Sequence, residues 1–145
     1  MKKCSLWFVL LLSAACTDDL VYDQQGIQVY VAEDPERYAE VRFTPYDPYE
    51  LEAAMVSQDS LYLGVRYGGG CGSVRFTLIL DQPSQADSDA VISRSAVLML
   101  EDDDDCEAIL GAEVPIPLAH LPLGPYSLYV YNPSVNGQVV MVEVP

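Results

Sequence analysis

Alternation of apolar and polar residues with a period of two is the feature that most limits how this chain can fold. The clearest cases are LYLGVRY at 61–67 and VRFTLIL at 74–80, in which every second residue is apolar. Side chains of a β-strand point alternately to opposite faces, so each run predicts a strand with one buried face. The chain holds about nine short runs of strand-like sequence separated by turn residues, and this spacing predicts an all-β, immunoglobulin-like β-sandwich with Greek-key connections and about 7–9 strands.

Turn signals predict two hairpins. SQDS at 57–60 separates strand patterns at 50–56 and 61–67, and Asn136-Gly137 precedes the last strand pattern, QVVMVEV. Asn-Gly favours the positive φ angles that tight hairpins need. The segment LPLGPY, which ends at Tyr126, resembles the tyrosine corner of immunoglobulin-like sandwiches.

Three segments depart from simple alternation. AVLML at 96–100 is apolar at every position, which predicts a central strand covered on both faces. Pro115 and Pro117 predict an edge strand or an extended crossing, because proline has no N–H for a neighbouring strand. EDPERYAE at 33–40 is the only segment in which we expect a helical turn, and alternation predicts a strand over 39–43.

The first residues have the features of a secretion signal. Lys2 and Lys3 precede an unbroken apolar run of seven residues at 6–12, and small residues follow at 13–15. A membrane-spanning helix needs about 20 apolar residues, so this run is too short to span. Residues 1–15 are therefore predicted to be a signal peptide that is removed on export.

Cys16 follows the small residues, and LSAAC resembles the lipobox of bacterial lipoproteins. That resemblance implies a diacylglyceryl group on Cys16, although the lipobox usually has Leu where this chain has Ser13. In Gram-negative lipoproteins an Asp after the cysteine implies inner-membrane retention, so Thr17 implies the outer membrane. Ordinary cleavage without lipid would instead give a soluble secreted or periplasmic protein. We expect an acidic tether at 16–26 and a single β-sandwich domain at 27–145.

The charge of the exported part excludes two classes of partner. Both lysines lie in the signal, so five arginines remain against 22 acidic residues, a formal net charge of 5 − 22 = −17. Nucleic acid and anionic membrane faces both require a basic surface. Contact with the membrane is therefore expected only through the lipid, and a protein or glycan partner stays open.

Cys71 and Cys106 are the two cysteines outside the signal region and the lipidation site. Two thiols in an oxidising compartment usually pair, which predicts a Cys71–Cys106 disulfide worth about 4 kcal/mol in the chain-entropy model. A reactive Cys106 is disfavoured because four aspartates precede it, whereas a thiolate needs positive surroundings. A zinc site is disfavoured because His120 is the sole histidine and no CxxC is present.

Three segments together resemble a pattern in uncharacterised secreted bacterial lipoproteins: YGGGC at 67–71, VRFTLIL at 74–80 and LMLEDDDDCEA at 98–108. In that pattern a strand pair ends in Gly-Gly-Cys, a strand with an aromatic residue follows, and a later apolar strand ends in Asp-Cys. The resemblance implies the β-sandwich and the disulfide but no activity. Relatives commonly carry histidines where this chain has Val74 and Glu101.

The acidic run Glu101–Asp105 is the one candidate cation site. Calcium binds six to eight oxygens, often from aspartates in loops. Alternate side chains of an extended segment share a face, so Asp102 with Asp104, or Asp103 with Asp105, could bind one ion. Further carboxylates in the loop after residue 80 are Asp81, Asp87 and Asp89. A solvated, self-repelling loop is the simpler interpretation.

The sequence therefore predicts a non-enzymatic structural or binding protein of the bacterial envelope without a cofactor. The alternative is a calcium-dependent binding module. Tyr62, Tyr129 and Tyr131 are expected on outer faces, where they would form a binding surface or simply suit half-buried strands.

Overall fold

A computed structural model describes residues 19–24, 26–32, 34–44, 46–82, 93–103, 106, 108–135 and 137–145. In chain order the elements are β1 (Asp19–Gln24), β2 (Ile27–Val31), α1 (Pro35–Phe43), β3 (Tyr49–Ser57), β4 (Ser60–Gly69), β5 (Val74–Leu80), β6 (Ser93–Asp102), β7 (Ala108–Pro117), a 3-10 turn (Leu118–His120), β8 (Tyr126–Tyr131) and β9 (Val139–Val144). No helix within these ranges is long and apolar enough to cross a membrane.

The strands form two sheets. The larger has the order β1-β2-β5-β6-β8-β9, and the smaller has the order β3-β4-β7. The smaller sheet is antiparallel, whereas the larger is mixed because β2 with β5 and β6 with β8 are parallel pairs. The predicted mainly-β class is confirmed. The immunoglobulin-like Greek key is not shown, since each parallel pair is joined through strands of the other sheet rather than by a hairpin.

The two sheets pack face to face around one core. Leu61, Leu63 and Ile116 of the smaller sheet belong to the same buried cluster as Leu78 and Leu98 of the larger sheet. Across the sheets, the rings of Tyr67 and Phe76 meet edge to face at 5.7 Å. Each fully buried aliphatic side chain contributes about 1.5–3 kcal/mol, so this core is the main source of stability.

Strand β6 is covered on both faces, as AVLML predicted. Ala96, Leu98 and Leu100 face the smaller sheet. Val97 and Met99 face the opposite way and form a second cluster with residues of α1. The molecule therefore has three layers, with the larger sheet in the middle.

Helix α1 begins as its sequence predicts but extends further. Asp34 accepts a hydrogen bond from the Arg37 N–H at 2.8 Å, and Pro35 is the first helical residue. The strand predicted over 39–43 is wrong, because the helix continues to Phe43. Tyr38 and Val41, three residues apart, share one helical face and are both buried against the larger sheet.

Both predicted hairpins are present. Ser57 pairs with Ser60, so the first turn has two central residues rather than four, and Gln58 adopts a φ of 56°. In the second, the last strand pair is Tyr131 with Val139, so the connection is longer than the two-residue turn that Asn136-Gly137 predicted, and Gly137 has a φ of 83°.

The prediction of an edge strand at Pro115 and Pro117 is confirmed, since β7 is the last strand of the smaller sheet. Two other predictions need correction. Residues 19–24 were expected in the tether but form β1, because they supply the backbone partners for the outer edge of β2. The tyrosine corner is also wrong, because the buried Tyr126 hydroxyl makes no hydrogen bond in the part of the chain that is described.

Candidate functional site at the disulfide end

The predicted disulfide is present and marks one end of the sandwich. Cys71 and Cys106 are bonded, with their Cα atoms 6.0 Å apart. Cys71 lies in the connection from β4 to β5 and Cys106 in the connection from β6 to β7, and both connections pass from one sheet to the other. The bond therefore fixes the two sheets to each other here, and we call this region the disulfide end.

Glycines allow the chain to turn tightly at this end. Gly69 and Gly70, next to Cys71, have φ angles of 145° and 119°, as the Gly-Gly-Gly segment predicted. Gly26, before β2, has a φ of 77°, and a Cβ there would lie 2.8 Å from the Val74 carbonyl oxygen. Such a contact is sterically forbidden, so only glycine fits this position.

Part of the acidic run is engaged by neighbouring residues. The Asp103 carboxylate accepts hydrogen bonds from the Ser73 N–H at 2.6 Å and from the Ser73 hydroxyl at 2.7 Å. Glu101 lies opposite Arg75, and their charged groups are 3.7 Å apart. These contacts give Asp103 and Glu101 a role in attaching the end of β6 to the start of β5.

The structure describes only some of the residues of the predicted calcium site. Asp102 lies at the end of β6, while its proposed partner Asp104, like Asp105, lies outside the described residues. In the described part of the chain, no group of three or more His, Cys, Asp or Glu residues is placed to hold a metal ion.

Asp81 cannot contribute to a cation site with the acidic run. It follows Leu80, which pairs with Ala96, whereas Asp102 pairs with Val74 at the other end of β5. The six residue steps of β5 span about 20 Å. Asp87 and Asp89 lie outside the described residues. Burial raises the pKa of the Asp81 carboxyl, which lies at the end of the sandwich opposite the disulfide.

Asp47 and Tyr49, at the entry to β3, supply hydrogen-bond partners to the edge of β6 beyond the end of β8. The last β6–β8 pair is Val97 with Tyr131, so the next groups on that edge need other partners. The Leu98 carbonyl oxygen accepts from the Tyr49 hydroxyl at 2.5 Å. The Leu100 carbonyl oxygen accepts from the Asp47 N–H at 3.3 Å, and the Asp102 N–H donates to the Asp47 carboxylate at 2.8 Å.

The turn between β8 and β9 holds the same segment from the other side. Asn132 donates its side-chain amide to the Tyr49 carbonyl oxygen at 2.7 Å. Gln138 pairs with the Leu51 backbone through both halves of its amide, each at 3.1 Å, as a neighbouring strand would. Ser134 donates its hydroxyl to the Asp47 carbonyl oxygen at 2.9 Å. Side-chain hydrogen bonds thus connect the β8–β9 turn to Asp47 and to the first residues of β3.

Among the described residues, three clefts lie in this half of the molecule. The largest, about 490 Å³, is lined by Pro48, Tyr49, Glu50, Arg66, Tyr67, Gly68, Ile109 and Val135. A second, about 370 Å³, is lined by Gly26, Ser73, Val74, Arg75, Glu101, Asp102 and Asp103. A third, about 280 Å³, lies between the end of α1 and the β8–β9 turn.

The largest cleft combines exposed apolar side chains with a charged group. Ile109 is 77% exposed and Val135 is 40% exposed. Arg66 hydrogen-bonds Glu50 and lies 3.4 Å from Glu52, and the hydrogen bond to Glu50 raises its pKa. The third cleft also holds a cation, because the Arg42 guanidinium stacks 3.9 Å from the centroid of the Tyr131 ring.

The three tyrosines of the sequence prediction do not form one surface. Tyr62 alternates with the buried Leu61 and Leu63, so it faces outward from the smaller sheet. Tyr129 and Tyr131 face outward from the larger sheet, on the side of α1, which is the opposite face of the molecule. His120 lies in the 3-10 turn after β7.

The residues of the largest cleft were missed from sequence. Ile109 shares the period-two face of Glu113 and Pro115, and this apolar residue on a polar face was the available signal. Val135 in NPSVNG is an apolar residue within a turn, which is a weaker signal. Nothing local indicated that the two would border the same cleft.

Comparisons with known proteins show similarity at the level of fold. No protein-family model matches the chain, and no curated protein matches it. Among solved structures it is similar to a protein of unknown function, DUF1344, from Bacteroides vulgatus ATCC 8482, with 11% sequence identity and a TM-score of 0.51. The match covers 81% of this chain and 56% of that chain, so this chain spans just over half of the other protein's length.

Proposed function

We propose that this protein is a non-enzymatic binding module of the bacterial envelope, anchored in the outer membrane by lipid on Cys16, and that its ligand binds at the disulfide end. The observation that carries the proposal is that three clefts of the described residues lie in the half of the molecule that a disulfide and side-chain hydrogen bonds hold together. Preformed concave sites with apolar walls and a few polar groups are typical of ligand binding.

The direction of the chain supports this use of the disulfide end. Asp19, the first residue of β1, pairs with Val31, and Val31 pairs with Leu80. All three lie at the end of the larger sheet opposite the disulfide. Cys16 is three residues before Asp19, a span of at most about 11 Å. Lipid on Cys16 would therefore hold the opposite end near the membrane and direct the clefts away from it.

Intact mass of the protein from its native host tests the anchor. The expected mass is that of the chain from Cys16 with acyl groups added. A mass that matches cleavage after Ala15 with no addition would refute the anchor and favour a soluble secreted or periplasmic protein.

Glycan and peptide arrays probed with the full chain test the binding site. We expect a set of probes whose binding is lost in the variant Val135→Asp and retained in Met55→Asp. Met55 is 56% exposed and lies beside Tyr62, toward the other end of the smaller sheet, so it is a matched control for an added surface charge. Equal loss in both variants, or no probe bound by the wild-type chain, would contradict the proposal.

A calcium-dependent module is the second candidate. It is favoured by one observation, that Glu101, Asp102 and Asp103 border a shared cleft. Oxygen ligands suit calcium, although Asp103 already accepts two hydrogen bonds from Ser73. Thermal melts in calcium and in EDTA decide: a higher midpoint in calcium that Asp102→Asn abolishes supports the site, and equal midpoints refute it.

A further inference from the structure

We propose that the first half of β7, residues 108–113, binds an extended basic segment of a partner protein as an added β-strand. This inference rests on the proposed function, because that half of β7 begins at the disulfide end. It specifies the partner: a peptide segment recognised through its backbone and its positive charge.

The open edge of β7 follows from its pairing. β7 pairs with β4 on one side and is the last strand of its sheet. Pro115 lies opposite Tyr62 and Pro117 opposite Ser60. Because proline has no N–H to give β4, these are the non-hydrogen-bonded pairs of the antiparallel ladder, and hydrogen-bonded pairs alternate with them.

Alternation then fixes which groups face outward along the whole strand. The N–H and C=O groups of Ile109, Gly111 and Glu113 point away from β4, as those of the two prolines do. No hydrogen bond satisfies these three residues on their outer side among the described parts of the chain. All three are exposed, Ile109 at 77%. The outward N–H and C=O groups of these three residues therefore form an unpaired strand edge in the described part of the chain.

The two halves of β7 differ in how this edge is protected. Proline on an edge strand prevents another chain from adding to the sheet. Pro115 and Pro117 protect the half that runs toward the opposite end, whereas residues 108–113 contain no proline and no lysine. The unprotected half is the one next to the disulfide end.

Side chains beside this edge provide specificity. Ile109 and Glu113 face outward from the sheet, and Gly111 lies between them. A Cβ built at Gly111 would meet no atom within 4 Å, so a side chain from an added strand has room there. Ile109 also borders the largest cleft together with Gly68 and Val135. An added strand would therefore place every second side chain beside Ile109, Gly111 and Glu113, and basic residues on that face would lie near Glu113.

Charge decides between a foreign segment and a second copy of this chain. Six of the seven residues at 101–107, immediately before β7, are acidic. A second copy would bring its own formal net charge of −17 to this edge, and like charges disfavour that arrangement. A basic segment would instead gain attraction that weakens as salt is added.

Binding of synthetic 12-residue peptides to the full chain tests the inference. The probes are a peptide of alternating valine and lysine, the same design with glutamate for lysine, and the valine–lysine peptide N-methylated at every second residue. We expect the first to bind, and the other two to bind at least about tenfold more weakly, since one lost hydrogen bond or charge contact is worth about 1.4 kcal/mol. Comparable binding of all three, or none by the first, would overturn the inference.

Variants of the chain locate the edge. Gly111→Pro removes an outward N–H in the manner of Pro115 and should weaken the valine–lysine peptide at least about tenfold. Glu113→Gln should weaken it less, and Glu36→Gln on α1, an exposed carboxylate on the other face, should leave it unchanged. If Gly111→Pro does not fold, Ile109→Asp with an unchanged melting midpoint replaces it. Unchanged peptide affinity in both edge variants would overturn the inference.

Two results distinguish failure of the basic-segment inference from failure of the proposed function. A wild-type dimer that Gly111→Pro converts to a monomer would show that a second copy occupies the edge and would overturn the basic-segment inference. An array ligand lost in Val135→Asp but retained in Gly111→Pro would support the proposed function while refuting the β7 edge as its site.

Discussion

The Tyr49 hydroxyl donates a hydrogen bond of 2.5 Å to the Leu98 carbonyl oxygen, and both residues are buried. Tyr126 is also buried, yet its hydroxyl has no hydrogen-bond partner among the residues that the structure describes. Burial raises the pKa of both hydroxyls, so each is neutral at physiological pH. The two tyrosines are therefore a matched pair that differs mainly in one hydrogen bond.

Replacement of each by phenylalanine should give different results. Tyr49→Phe leaves the Leu98 carbonyl oxygen buried without that partner and should lower the free energy of unfolding by about 1–3 kcal/mol. Tyr126→Phe removes a buried hydroxyl that has no partner among the described residues, so it should leave the free energy of unfolding unchanged or raise it. Urea denaturation of both variants measures this, and equal losses would contradict the role assigned to Tyr49.

Gly26→Ala should destabilise the protein, and Gly111→Ala should not. Alanine at 26 must adopt a φ of 77° with its Cβ 2.8 Å from a backbone oxygen. The left-handed conformation alone costs about 1–2 kcal/mol, so a loss of at least about 2 kcal/mol is expected. Gly111 has open space around it. Thermal melts of the two variants provide the comparison. An unchanged midpoint in Gly26→Ala would contradict the close approach of position 26 to the Val74 carbonyl oxygen.

Loss of the disulfide should lower the free energy of unfolding by about 4 kcal/mol in the chain-entropy model. The double variant Cys71→Ala/Cys106→Ala removes it. Single variants should be destabilised to a similar degree, because each alone breaks the bond. Alkylation of the unfolded wild-type chain without reductant is the control, and label on both cysteines would disprove the bond.

Asp81→Asn should stabilise the protein more at neutral than at acidic pH. Burial raises the folded-state pKa of Asp81, so folding favours the protonated carboxyl. The stabilisation from this group is complete below its unfolded pKa and is lost as the pH rises through the raised folded value. Asparagine stays neutral throughout. Denaturation at pH 3 and pH 7 should show a larger advantage for the variant at pH 7, and an advantage that does not depend on pH would argue against burial of the charge.

The features predicted correctly from the sequence are those that a few neighbouring residues determine. Alternation indicated β4 and β5, the fully apolar AVLML indicated a strand buried on both faces, and Pro115 indicated an edge. The disulfide followed from having two cysteines in a domain that was predicted to be exported. Each of these predictions depends on a property of a few neighbouring residues.

The predictions that failed depended on distant partners. Val41 fits a strand or a helix equally well by pattern, and the surface offered by Val97 and Met99 decides for the helix. Asp47 reaches Asp102 across 55 residues, a contact without a local signal. The clefts have walls from several separate elements, so their composition could not be deduced from sequence spacing.

We propose that ligand contact occurs at the disulfide end. Site-specific photo-crosslinking in the native host tests it most directly, with a photoreactive amino acid placed in the full chain at position 109, 135 or 55. Ligand contact at the disulfide end predicts a discrete adduct from positions 109 and 135 and none from position 55. Adducts from position 55 alone, or the same adducts from all three positions, would contradict it.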